Sequence, residues 1–194
     1  GALALDGADD LLARARRWGP DLDAGVRAVF PAAEADALVA RLAEIVAAGW
    51  LARPEALRDR DRDRLLTPDW FQRPDALGYV AYADRFAETL DGVAKHIDYL
   101  RELGATYLHL MPLLRPRDGA NDGGYAVADY RDVRADLGTM ADLESLASVL
   151  HDAGIALTID LVLNHVAREH PWAEAARRGE QHYRDYFLVF PDRT

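Results

Sequence analysis

The first seventy-odd residues carry apolar side chains at helical spacing. Leu11, Leu12, Ala15 and Trp18 share one helical face, and Gly19-Pro20 is expected to stop that segment. A short helix with Val26, Val29 and Phe30 is predicted before Pro31. Leu38, Leu42, Ile45, Val46 and Gly49 form the best stripe, and a fourth helix is predicted from Pro54, a favoured first-turn position. That helix carries alternating Arg and Asp from Arg58 to Arg64. The run is nearly neutral in sum, so it reads as a solvated helical face and not as an anion site. Thr67-Pro68 and Arg73-Pro74 then punctuate the chain, which places a boundary near residue 75 and a helical N-terminal domain over 1–75.

After residue 75 the period changes. Gly78 to Ala83 is short and rich in strand formers. Leu90, Val93, Ala94, Ile97 and Leu100 predict one amphipathic helix ending at Gly104, and Thr106 to Met111 predicts a second strand stopped by Pro112. Leu113 to about Leu137 reads as a long loop. Thr139 and Asp142 have capping-box spacing and open a helix with Leu143, Leu146, Ala147 and Leu150. Ile155 to Leu163 is almost wholly apolar, so a strand buried on both faces is expected there. The order is a helical region followed by β–α–β–α–β, which implies right-handed crossovers and a parallel sheet. No GxGxxG or GxxxxGK[ST] follows a strand, which disfavours a nucleotide-binding open sheet and favours a TIM (β/α)8 barrel. The predicted fold class is therefore α/β: an all-α N-terminal domain, then the first three β/α units of a barrel over 76–165.

Composition narrows the function. The 33 acidic residues outnumber the 23 basic ones, a net charge of −10 that repels phosphate backbones, so no nucleic-acid partner is expected. Cysteine is absent, which removes disulfides, thiolate metal sites and a Cys nucleophile. No apolar run approaches the length of a membrane span. No basic segment followed by an apolar run marks a secretory signal, so the cytoplasm is the expected compartment. The chain opens on Gly1 and not on Met, which keeps secretion as the alternative.

Two constellations could carry chemistry. In Asp160-Leu161-Val162-Leu163-Asn164-His165, Asp160 and Asn164 point the same way along a strand and His165 sits at its mouth. A buried Asp in an apolar strand needs a partner, and an Arg on a neighbouring strand is expected. The bland alternative is a structural ion pair beside a loop His. In Asn121-Asp122-Gly123-Gly124-Tyr125, two glycines would let the backbone bend close to a ligand and present Asp122 and Tyr125. A carboxylate accepts sugar hydroxyls and an aromatic face packs on sugar C–H groups. The alternative is an ordinary turn. His96 and His109 read as structural, His109 alternating with Leu108 and Leu110 in a strand.

These residues carry a resemblance. From about Asp69 to Thr194 the chain is similar to the amylosucrases of glycoside hydrolase family 13, the α-amylase superfamily. The superfamily's D-x-x-x-N-H block stands at Asp160 to His165. Narrower blocks are Tyr79 to Phe86, His96 to Gly104, Tyr107 to Leu114, Asn121 to Ala126 and Tyr186 to Thr194. The resemblance implies a retaining enzyme that moves the glucosyl unit of sucrose to the 4-hydroxyl of an α-1,4-glucan and releases fructose. It implies that Asp122 binds the terminal hydroxyls of the glucosyl ring, Tyr125 stacks under it and His165 bonds the 6-hydroxyl region. Asp160 and Asn164 would stand behind these, Asp160 holding the Arg that orients the nucleophile. No cofactor is implied, although Asn164 matches a calcium ligand of calcium-dependent amylases. Residues 166–194 would begin an inserted domain B.

Retaining chemistry needs two carboxyl groups roughly 5–5.5 Å apart. In this family both follow later barrel strands, so the nucleophile and acid/base are expected beyond Thr194, and these residues alone should be inactive. The expected partners are sucrose, α-glucan acceptors and the remainder of the same polypeptide, with a homodimer as an option. The alternatives are a sucrose hydrolase, another α-glucoside hydrolase or isomerase, or a non-catalytic carbohydrate-binding module on the same scaffold.

Overall fold

The computed structural model describes residues 7–120 and 122–191, so Asn121 and the last three residues of the Tyr186 to Thr194 block lie outside the described residues. The chain divides into two compact units, Gly1–Trp70 and Phe71–Thr194.

The first unit is helical: α1 (Gly7–Arg27), α2 (Ala32–Ala52) and α3 (Glu55–Leu66). Gly19-Pro20 does not stop the first helix, since α1 runs through both residues and on to Arg27. Proline in a helix interior costs about 3 kcal/mol through a lost hydrogen bond and a clash. Contacts on both sides of Pro20 offset that cost. Near the start of α1 the Arg14 guanidinium lies 4.7 Å from the ring of Trp50, a buried residue of α2. At its end Arg27 bonds Asp23 and Asp36 at 2.8 and 2.7 Å. The Arg/Asp run on α3 contributes ion pairs instead of core. Arg53 grips Asp61 with two bonds of 2.7 and 3.0 Å, and Arg62 reaches both Asp59 and Asp10. Ile45 and Val46, part of the predicted stripe on α2, are exposed.

In the second unit, β1 (Gly78–Ala81), β2 (Tyr107–Leu110) and β5 (Ala156–Ile159) form a parallel sheet in the order β1-β2-β5. The crossovers are helical: α4 (Ala83–Ala87), α5 (Leu90–Lys95) and α6 (Ile97–Leu103) between β1 and β2, and α7 (Met140–Asp152) before β5. The predicted 90–100 helix is broken at His96. Its backbone N–H bonds Val93 three residues back, and its Nδ1 lies 2.9 Å from the Gly92 carbonyl oxygen. The capping box of α7 forms as predicted, with reciprocal bonds between Thr139 and Asp142.

The helices cover one face of the sheet. Leu108 and Leu110 point into that core and meet Leu90, Val93, Leu100, Leu146 and Leu150, all essentially inaccessible to solvent. The alternate residues lie on the other face, which these helices leave uncovered. By register they form layers: Gly78, Tyr107 and Ala156, then Val80, His109 and Thr158. Next along come Tyr82, Met111 and Asp160, just past the strand ends. The apolar run 155–163 is not buried throughout: Ile155 and Ala156 are buried, whereas Ile159 is already 38% exposed. Regular strand ends at Ile159, and Leu161 and Leu163 are 62% and 76% exposed. Two-sided burial needs a second packed layer, and none lies against β5 among the described residues.

The stretch predicted as a long loop holds an antiparallel pair, β3 (Leu114–Pro116) and β4 (Val127–Val133), with an irregular register. Leu114, Val127 and Val162 form a small core of their own. Beyond β5 the chain makes two short helices, α8 (Pro171–Arg177) and α9 (Gln181–Arg184).

Two predictions follow from this packing. A Cβ at position 78 would lie 2.3 Å from the Tyr107 ring, so Gly78→Ala should cost about 1–3 kcal/mol in urea unfolding. The loss should shrink in a Gly78→Ala/Tyr107→Ala double variant. His170 caps α8 by accepting the Trp172 N–H at Nδ1 over 3.2 Å. Burial pushes its imidazole below the ordinary value of 6.5, against the opposing pull of Asp129. A depressed pKa favours the neutral form in the folded state, so this stabilisation is complete above 6.5 and is lost as pH falls below it. The protection of the Trp172 amide against hydrogen exchange, relative to its intrinsic rate at each pH, should fall over that window, and His170→Asn, which keeps an acceptor that does not titrate, should flatten the response.

Candidate functional site

The polar residues of interest gather beyond the C-terminal ends of the parallel strands, where α/β folds place their ligands. Asp160 follows β5 directly. Its Oδ1 lies 3.0 Å from Nε2 of His109, which the sheet register brings alongside on β2. Among the described residues the partner of Oδ1 is this His, and the expected Arg is not among them. The described strands of the sheet contain no Arg, and His109 lies on the same face, level with Thr158 and one layer below Asp160. The other carboxylate oxygen, Oδ2, is buried and makes no hydrogen bond among the described residues.

Residues 122–125 form a bend in front of this pair. Gly123 and Gly124 have φ of +85° and +99°, which side chains with a Cβ rarely adopt. Space enforces the same choice. A Cβ at Gly123 would lie 3.0 Å from the Tyr82 hydroxyl, and one at Gly124 would lie 3.0 Å from Pro112 Cβ. The bend is thus packed against residues that follow β1 and β2. Asp122 closes it by accepting the Ala126 N–H at Oδ1 over 2.9 Å, while its carboxylate stays exposed.

Tyr125 and Asp160 are brought together. The Tyr125 phenol is pushed up from its ordinary value, first by burial and then by the negative charge of Asp160, with Tyr82 and Asp122 adding to it. Tyr125 therefore stays a neutral O–H donor through the physiological range. Asp122, Tyr125 and Asp160 form one electrostatic neighbourhood, in which Tyr82 and His109 also take part.

Asn164 and His165 form a separate pair, with the Asn164 amide 2.7 Å from His165 Nδ1. No hydrogen bond links either side chain to Asp122, Tyr125 or Asp160 among the described residues. Both are exposed. Their backbone is anchored from β4, where the Tyr130 hydroxyl donates to the carbonyls of Val162 and His165. Among the described residues no three His, Asp or Glu side chains gather as a metal-binding group.

The arrangement offers carboxylate acceptors, a neutral phenol and an aromatic face on one side of a parallel sheet. That set suits a polyhydroxylated ring better than an anion or an apolar ligand. Sequence reasoning missed Tyr82 and set His109 aside as structural. The signal for His109 was its parity: it faces away from Leu108 and Leu110, on the side where Asp160 emerges.

The model of the alpha amylase catalytic domain matches residues 58–194. Over 131 residues the chain is 38% identical to an alpha-glucosidase of Pediococcus pentosaceus, covering 63% of this chain and 23% of that protein. It is 40% identical over 129 residues to an oligo-1,6-glucosidase of Parageobacillus thermoglucosidasius, covering 62% and 22%. Among solved structures, a mutant isomaltulose synthase from Erwinia rhapontici NX5, in complex with its natural substrate sucrose, aligns with a TM-score of 0.54 at 30% identity, over 59% of this chain and 22% of that one. The chain thus spans less than a quarter of the length of these proteins. The three parallel strands with their crossover helices are part of that domain's barrel, and the chain belongs to the alpha-amylase family.

Proposed function

We propose that this chain supplies one wall of the glucosyl pocket in an enzyme that cleaves α-glucosides with retention of configuration, of the hydrolase and isomerase kind. The observation that carries the reading is the convergence of Asp122, Tyr125 and Asp160 beyond the ends of the parallel strands. Asp122 would accept hydroxyls at the closed end of the pocket, and Tyr125 would pack its face against the ring. His165 would bond the 6-hydroxyl region from the edge. Asp160 would hold the group that orients the nucleophile, with Asn164 steadying His165 beside it. The nucleophile and the general acid/base would come from polypeptide outside these 194 residues.

Relatives named as glucosidases, and a sucrose-bound isomerase among the structural neighbours, support hydrolysis or isomerisation at least as well as glucan synthesis. The narrower amylosucrase reading rests on the sequence blocks at Tyr79 to Phe86 and Asn121 to Ala126. Product analysis on a polypeptide carrying these residues within a complete catalytic domain separates the readings. On sucrose, a rearranged disaccharide marks an isomerase and equal glucose and fructose a hydrolase. Insoluble glucan with free fructose marks an amylosucrase. Cleavage of isomaltose or maltose without action on sucrose marks a glucosidase. No product from any of these sugars overturns the proposal in favour of a binding module.

In the same polypeptide, Asp122→Ala and His165→Ala should each lower turnover at least about tenfold, the loss expected when a hydrogen bond to a charged group is removed from the transition state. Steady-state kinetics at saturating sugar measures this, and near-normal turnover in both would sink the assigned roles. Gly123→Ala should raise KM, because its Cβ drives against Tyr82 and displaces the bend that carries Tyr125.

A further inference from the structure

We infer that His109 is a positioning residue for Asp160, fixing the plane of its carboxylate; the inference rests on the pocket reading above. Asp160 lies one residue past the end of β5, so the sheet's own hydrogen bonds do not hold it. A carboxylate there turns freely about its last side-chain bond unless one oxygen is tied. Among the described residues Oδ1 is tied by the 3.0 Å contact to His109 Nε2, and the Tyr125 hydroxyl is the other group that bears on this carboxylate. His109 is well suited to make its tie. Its strand is the central one, bonded on both edges, so its backbone is the best fixed in the sheet. Its layer neighbours Val80 and Thr158 carry short side chains that leave the imidazole room to reach across.

The tie has a direction. An Nε2–H donates to a carboxylate from the neutral Nε2–H tautomer and from the imidazolium alike, so the anchor does not depend on one protonation state. Holding Oδ1 leaves Oδ2, buried and without a hydrogen bond among the described residues, as the open acceptor of the pair. A buried carboxylate oxygen is costly to leave unpaired, so Oδ2 is set to receive a donor. With Oδ1 held, the charge also stays beside Tyr125, whose phenol it helps to keep protonated. His109 would thus act through Asp160 and never touch the sugar.

Two measurements test this. In the 194-residue chain, 1H–15N spectra should show a slowly exchanging imidazole Nε2–H proton of His109 that disappears in Asp160→Ala. Its absence from the unsubstituted chain, or its persistence in Asp160→Ala, overturns the proposal. In the polypeptide with a complete catalytic domain, His109→Ala should lower kcat about tenfold with KM within about twofold, as expected when a charge-assisted hydrogen bond that matters in the transition state is loosened. His109→Gln, which presents an amide N–H at similar reach, should restore most of the lost kcat. Equal kcat in both variants and the unsubstituted enzyme also overturns it, as does a His109→Gln variant no better than His109→Ala. If the unsubstituted enzyme acts on no α-glucoside, the pocket reading fails, and the spectra of the 194-residue chain still decide whether His109 holds Asp160.

Discussion

Strand β2 pairs with a neighbour on each edge, and its four side chains alternate between two environments. Leu108 and Leu110 enter the helix-covered core. Tyr107 and His109 face the other way. A strand has a side-chain period of two, so a slip of one residue would exchange those sets. It would bury an imidazole among leucines and expose two leucines in its place. The register that avoids this also sets β1 and β5. Gly78 must then lie beside Tyr107, and Asp160 must emerge one layer above His109. The placement of the candidate site is in that sense a consequence of core packing.

The bend at 122–125 depends on the same sheet for a different reason. Its two glycines avoid strain, and they also let the chain close onto Tyr82 and Pro112, the residues where β1 and β2 give out. Three segments distant in sequence thereby meet at one place. Arg134 adds a tie on the far side of the hairpin, bonding Asp136 at 2.6 Å and reaching Asp84 in α4 at 3.5 Å. Side chains held from several directions lose little further freedom when a ligand binds, which favours recognition.

Much of this was legible in the chain. Helical and strand periods placed most helices and all three parallel strands. The Thr139–Asp142 spacing predicted a cap that forms. What was not legible followed from competition between local and tertiary terms. Pro20 is a strong local stop, yet α1 continues because contacts with α2 on either side of it outweigh the lost bond. The β3–β4 pair was hidden because its partners lie 11 to 19 residues apart with an irregular register. His109 was read as structural because, along the strand alone, it is only the polar member of an alternating pair.

The amino-acid order by itself singled out the candidate residues: Asp160, Asn164 and His165 in one block, Asp122 and Tyr125 in another. Each is marked by residue type and by local spacing that survives without neighbours. The tertiary structure alone decided which of them lie together. It joined Asp160 to His109 across 51 positions of chain and set Tyr125 in the field of that carboxylate. It left Asn164 and His165 as a pair of their own. Hydrogen bonds and charge interactions act over a few ångströms, and which groups come that close is fixed by strand register and the packing behind it, neither of which is a local property of the chain.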